Sequence, residues 1–156
     1  MTRRVGDVAA IPLPGGGFGA VQISGITDDL TTAYSLDFYS DELPDLAAVA
    51  NAAPLRVDHY KHGGHIDVTN IGDFWPEPPD MVWLGNQSLR EGAPTTSNVS
   101  SAWETLAVGI RARRRWWLET PEADRIAYRR ATGTTRRPQW TFPALGWNTL
   151  NCMEIR

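Results

Sequence analysis

His59, His62 and His65 recur at three-residue intervals with Asp58 and Asp67 beside them, the one grouping of metal-ligand residue types in the 156-residue chain. A transition metal needs three or four such ligands converging on a point. On a strand, side chains alternate between faces, so a spacing of three sends neighbouring histidines to opposite sides unless His62 to His65 is a tight loop. With no cysteine nearby and no His-Glu-x-x-His helix, zinc hydrolysis lacks its usual parts. The expectation is exposed hairpin histidines, with no metal and no cofactor. Cys152, the single cysteine, lies beside Met153 with no histidine close in sequence. No Gly-x-Ser-x-Gly elbow occurs either. An inert thiol packed as a small apolar residue is expected there. No catalytic residue is assigned, and an enzyme is not expected.

Recognition is better supplied than catalysis. Asp28, Asp29, Asp37, Asp41, Glu42 and Asp45 crowd into 18 positions. They read either as a solvated face with helix capping or as a patch for a partner. Trp75 and Trp83 are candidate interface anchors, because tryptophan and tyrosine commonly supply the buried centre of a protein contact. Arg111, Arg113, Arg114 and Arg115 precede Trp116 and Trp117, a mixture that suits nucleic acid, where guanidinium groups meet phosphates and indoles stack on bases. At helical spacing the same residues pair among themselves, Arg113 with Trp116 or Trp117, and reach acidic groups elsewhere. That internal use is the expectation, and nucleic acid is disfavoured. A pocket lined by Trp75, Trp83, Trp140 and Trp147 would suit a sugar or aromatic ligand, although tryptophan is also simply a large core residue.

Charge separates along the chain. Residues 1 to 110 hold 5 Lys plus Arg against 14 Asp plus Glu, and residues 111 to 156 hold 10 against 4, so a net −3 divides into −9 and +6. The two segments either attract each other or reserve a surface for an oppositely charged macromolecule. The length fits one domain with a core that needs no staple, and one cysteine forms no internal disulfide. With Met1-Thr2-Arg3-Arg4 at the start no secretory leader is expected, and no apolar run approaches a membrane span of about 18 residues. A cytoplasmic protein is expected.

The elements that must position these residues begin with a hairpin. Gly6 to Pro14 and Phe18 to Ile23 read as strands around Gly15-Gly16-Gly17, glycines that supply the positive φ a tight turn needs. Residues 31–39 alternate, with Thr32, Tyr34, Leu36 and Phe38 on one face and Thr31, Ala33, Ser35, Asp37 and Tyr39 on the other. Asp41 is the expected N-cap of a helix over residues 42–52, ended by Pro54. Leu55 to Tyr60 and Ile66 to Ile71 read as a second hairpin. Phe74 to Asp80, with three prolines, reads as a rigid loop. Residues 81–84 read as a short buried strand, and 85–97 as the boundary loop. Ser101 and Glu104 fit a capping box, and Thr120-Pro121-Glu122 starts a second helix stopped by Gly133, so that two helices flank Trp116-Trp117. Leu150 to Ile155 is placed as an edge strand. The expected fold is α+β, one domain over residues 1–156. A twisted antiparallel sheet and the helix at 42–52 occupy a β-rich region over residues 1–85, and a helical, irregular region follows over residues 98–156.

The phrase Gly6-Asp7-Val8-x-Ala10-Ile11-Pro12-Leu13, a glycine turn, and Phe18-Gly19-x-Val21 resembles the start of the immunity protein 26 family of bacterial polymorphic toxin systems. Residues 41–53 resemble that family's short helix, and Ala53 to Val57 with Ile71-Gly72 resemble the strand pair after it, so the likeness covers about the first 85 residues. It implies an immunity protein that binds its cognate toxin and occludes or deforms the toxin's active site. The acidic surplus points to a basic toxin domain as that partner. The alternative is a small-molecule or carbohydrate-binding module, or an enzyme, with a tryptophan-lined pocket.

Overall fold

The computed structural model describes residues 2–57, 65–132 and 139–140, with side chains over 2–57 and 65–127. The glycine run dictates the first pairing. β1 (Asp7–Pro12) and β2 (Phe18–Ile26) run antiparallel with Ala10 opposite Ala20. Gly15, Gly16 and Gly17 take φ of 90°, 108° and 79°, so the turn has the positive φ expected of it. Gly17 is held for a second reason, since a Cβ there would lie 2.7 Å from the Tyr39 ring.

β3 (Leu30–Ser40) returns beside β2, and its faces divide as the alternation requires. Tyr34, Leu36 and Phe38 join Val8 and Ala20 on one side. Ala33 and Tyr39 join Ala9, Ile11, Val21 and Ile23 on the other. Thr31 to Ser40 are all buried, so both faces of this central strand are covered. β6 (Val68–Gly72) pairs with β3 and β7 (Val82–Asn86) with β1, giving the antiparallel order β6-β3-β2-β1-β7. A two-residue β8 (Gln139–Trp140) lies parallel to β3 at Phe38 and Tyr39.

α2 (Trp103–Glu119) covers the face of Ala9, Ile11, Val21, Ile23, Ala33 and Tyr39, the first face, with Trp103, Leu106, Ala107 and Ile110, whose spacing of three and four makes one apolar stripe. α3 (Glu122–Thr132) follows immediately. The second face is covered differently, by α1 (Leu46–Val49), Ala52 and the loop carrying Leu89. Arg90 fastens that cover. Its Nε donates to the Ala52 carbonyl at 2.9 Å, and its Nη2 to Val49 O at 2.9 Å and Gln87 Oε1 at 2.8 Å. The Arg90 amide donates to Tyr34 Oη at 3.3 Å, and Tyr34 Oη donates to Gln22 Oε1. Burial pushes the Tyr34 pKa up and the Arg90 pKa down. The result is one α+β domain, and among the described residues no helix is long and apolar enough to cross a membrane.

Local competition moved several expected boundaries. The helix expected over 42–52 is the single turn α1, because Asp45 caps it beyond Pro44 by accepting from the Ala48 amide at 2.8 Å. Asp41 is drawn to Tyr39 and Arg114 instead. The second hairpin keeps only β4 (Arg56–Val57) against β5 (His65–Ile66). β6 turns away to pair with β3, where Ile71 is buried opposite Thr31. The strand expected to be buried at 81–84 is the edge strand β7, with Val82 exposed. The capping box does not form, for Ala102 is the N-cap of α2 and the Ser101 hydroxyl lies 2.6 Å from that of Thr69. Trp116 and Trp117 do not separate two helices but sit inside α2. Gly133 and Leu150 to Ile155 lie outside the described residues.

Candidate partner-binding surface

β3 carries the acidic residues to its two opposite ends. Asp28 and Asp29 sit in the turn between β2 and β3, and Asp41, Glu42 and Asp45 follow the end of β3. At ~3.3 Å per residue the 11-residue strand separates these groups by roughly 35 Å, so a compact contact takes one end or the other. Asp28, Asp29, Glu42 and Asp45 are exposed. Asp37 is not available to a partner. It is 5% exposed, with its carboxylate 3.9 Å from the Arg113 guanidinium. Asp41 is half-buried, accepting from the Tyr39 hydroxyl with Arg114 at 3.5 Å.

These pairs account for the arginine run. Arg113 stacks over Trp116 at 4.5 Å from the ring centroid and over Trp117 at 5.7 Å. Arg114 lies 3.3 Å over the Tyr39 ring. The helical face that would meet a nucleic acid thus packs its two middle guanidinium groups into the protein. Arg115 pairs with Glu119 on the same helix at 3.1 Å. The recess between Arg111, Arg115 and the Gly15-Gly16 turn has a volume of only about 10 Å³, room for about one water.

At the Asp28–Asp29 end a second feature converges. β6 places Gly72 opposite Leu30, so the chain leaving β6 emerges beside the β2–β3 turn. The Asp73 amide donates to the Asp29 carbonyl at 3.3 Å, and the Trp75 amide to the Gly72 carbonyl at 3.0 Å. This turn lifts two aromatic rings into solvent. Phe74 is 80% exposed and Trp75 41%, with ring centroids 5.3 Å apart. Glu77 anchors the loop from below, accepting from Arg3 Nη2 at 2.9 Å and from Trp83 Nε1 at 3.2 Å. Asp28, Asp29 and Trp75 are therefore brought together, along with Phe74 and Asp73, which sequence reasoning did not single out. An aromatic pair heading a proline-rich segment that cannot pair as a strand was the available signal.

Trp83 belongs to the interior side. It meets Trp103 edge-on at 5.9 Å and packs against the core. A groove of about 450 Å³ beside it is lined by Thr2, Arg4, Asp7, Leu84 and Gly85, without Trp75. Trp140 lies in β8. Trp147, Cys152, Asp58, His59 and His62 lie outside the described residues, and His65 is exposed. Among the described residues no group of three His, Cys, Asp or Glu could hold a metal ion. Comparison with protein-family models, with curated proteins and with solved structures finds no match for this chain.

Proposed function

We propose that this protein is an immunity protein that works in the bacterial cytoplasm, binding a cognate polymorphic toxin and neutralising it by recognition rather than turnover. One observation carries the reading: among the described residues most carboxylates face outward, while Arg90, Arg113 and Arg114 turn inward. Arg113 and Arg114 lie against Asp37 and Asp41, and Arg90 is engaged with backbone carbonyls. Asp28, Asp29, Glu42, Asp45, Asp73 and Asp80 face solvent. An acidic outer surface complements a basic toxin domain, such as one built to grip nucleic acid, and complementary charge speeds association. The resemblance of the β1–β2 phrase to immunity protein 26 supports the same reading.

The test is co-expression with the toxin encoded beside this gene. Growth rescued by the intact chain, with a complex recovered at equal stoichiometry, is the expected result. A toxin that still kills, and that forms no complex with the purified protein, would overturn the proposal.

A further inference from the structure

We propose that the Phe74–Trp75 knuckle is the anchor of the toxin contact, docking into an apolar pocket with a basic rim on the partner. This inference rests on the immunity reading and deepens it by choosing one of the two acidic ends of β3. Three observations converge on the choice. The first is apolar exposure: Phe74 is the most exposed large hydrophobic residue among those described, and Trp75 lies tilted beside it. Two large rings held in water are what the centre of a protein interface needs.

The second is preorganisation. The knuckle is closed by the Trp75–Gly72 turn and tied through Asp73 to Asp29. It is followed by Pro76, Pro78 and Pro79, and pinned at Glu77 to Arg3 and Trp83. Little conformational freedom remains to be lost on binding, which is the usual drain on affinity from a loop. Gly72 contributes to this shape, since a Cβ there would lie 2.5 Å from the Phe74 ring.

The third is the rim. Asp28, Asp29 and Asp73 lie in the two turns joined at the knuckle and are exposed, and no salt bridge among the described residues includes them. Arg3, the nearest cation in the loop's own contacts, is already engaged by Glu77. This uncompensated charge selects the occupant. In a two-fold pairing of identical knuckles the same patch meets itself, setting three carboxylates against three. A basic protein surface gains where a second copy of this chain would be repelled.

The experiment measures binding kinetics of the purified protein to the neighbouring toxin domain, with sedimentation of the free protein alongside. Phe74→Ala and Trp75→Ala are each expected to weaken affinity about 30- to 1,000-fold, the hot-spot range, chiefly through faster dissociation. The triple change Asp28→Lys, Asp29→Lys and Asp73→Lys is expected to slow association at least about tenfold at low salt and to flatten its salt dependence. Glu42→Lys, at the other end of β3, should leave dissociation unchanged and slow association by less than about twofold, the share of one remote charge in long-range steering. All these positions are exposed, and matched thermal melts verify folding. Wild-type affinity retained by both aromatic variants overturns the knuckle while leaving the immunity reading intact. Loss of binding in Glu42→Lys moves the contact to the far end. Self-association of the free protein that Phe74→Ala abolishes makes a second copy the occupant and overturns the basic partner. No wild-type complex at all overturns the immunity reading itself.

Discussion

Gln22 is fully buried in the middle of β2, and replacing it with leucine tests whether the cover on the second sheet face is held by polar bonds. The Gln22 amide nitrogen donates to the carbonyls of Gly6, Gln87 and Ser88 at 3.2, 3.0 and 3.3 Å, and its oxygen accepts from Tyr34 Oη. Not all of these partners are stranded in Gln22→Leu. The Gly6 carbonyl still receives the Gln87 amide at 3.0 Å, and the Ser88 carbonyl still receives Arg90 Nη1 at 3.3 Å. The Gln87 carbonyl and the Tyr34 hydroxyl proton remain. Two buried groups left unsatisfied, at about 1–3 kcal/mol each, less the gain from an apolar side chain, put the cost at about 2–4 kcal/mol. Tyr34→Phe strands Gln22 Oε1 and the Arg90 amide, for about 1–3 kcal/mol. In the double variant both partners of the Tyr34–Gln22 bond are gone, so its cost should fall short of the sum by about 1–2 kcal/mol. Urea denaturation of the four proteins measures this from midpoints at constant slope. Additivity within about 0.5 kcal/mol would refute the argument, and would mean that the cover is held by apolar packing of Val49, Ala52 and Leu89.

Three further outcomes follow from the same contacts. Burial raises the Tyr34 pKa above its usual 10.0, against the opposing effect of Arg90, so the folded state holds that proton more tightly than the unfolded state. Its contribution is complete below about pH 10 and is lost as pH rises from there through the folded value; urea midpoints between about pH 9 and 11 should fall less steeply in Tyr34→Phe. Asp41→Lys is expected to cost about 1–3 kcal/mol, since it removes the acceptor of the Tyr39 hydroxyl and directs a cation at buried Arg114. The neighbouring Glu42→Lys should change stability by no more than about 0.5 kcal/mol by the same melts. Gly17→Val should destabilise by about 2–4 kcal/mol, combining positive φ with collision against Tyr39. Gly16→Val, with nothing within 4 Å, should cost only the backbone share of about 1–2 kcal/mol. Equal midpoints for the two glycine variants would contradict the close Tyr39 contact.

The legible elements of the fold are those decided within a few residues. Alternation in β3 divides its faces correctly, and the glycine run marks the β1–β2 turn, because period and φ are local properties. What misled was competition from residues distant in sequence. Ser101 has the spacing of a capping box, yet Thr69 takes its hydroxyl from 32 positions away. Ile66 to Ile71 alternate as half a hairpin, but β3 offers most of them a longer partner than β4 does. Arg90 falls in the expected boundary loop with no pattern around it, and its work on the carbonyls of Val49 and Ala52 is visible only once the chain has closed. In the candidate surface, Trp75 and the Asp28–Asp29 turn were legible separately. Their meeting depends on β6 pairing with β3, which no local pattern announces.

The burial of both sheet faces has a consequence for synthesis on the ribosome. β1, β2 and β3 are complete once Ser40 has been added, and their closeness in sequence lets them pair early. The helix that covers Ala9, Ile11, Val21 and Ile23 is not finished until Glu119. At roughly 5–20 residues per second the intervening stretch takes on the order of 4–16 s to make. Throughout that interval the nascent meander presents a continuous aliphatic face, and β1 has an open edge until β7 arrives. The order of elements along this chain therefore sets a fixed vulnerable period, one that a faster-folding sheet cannot shorten and only slower or faster translation can change.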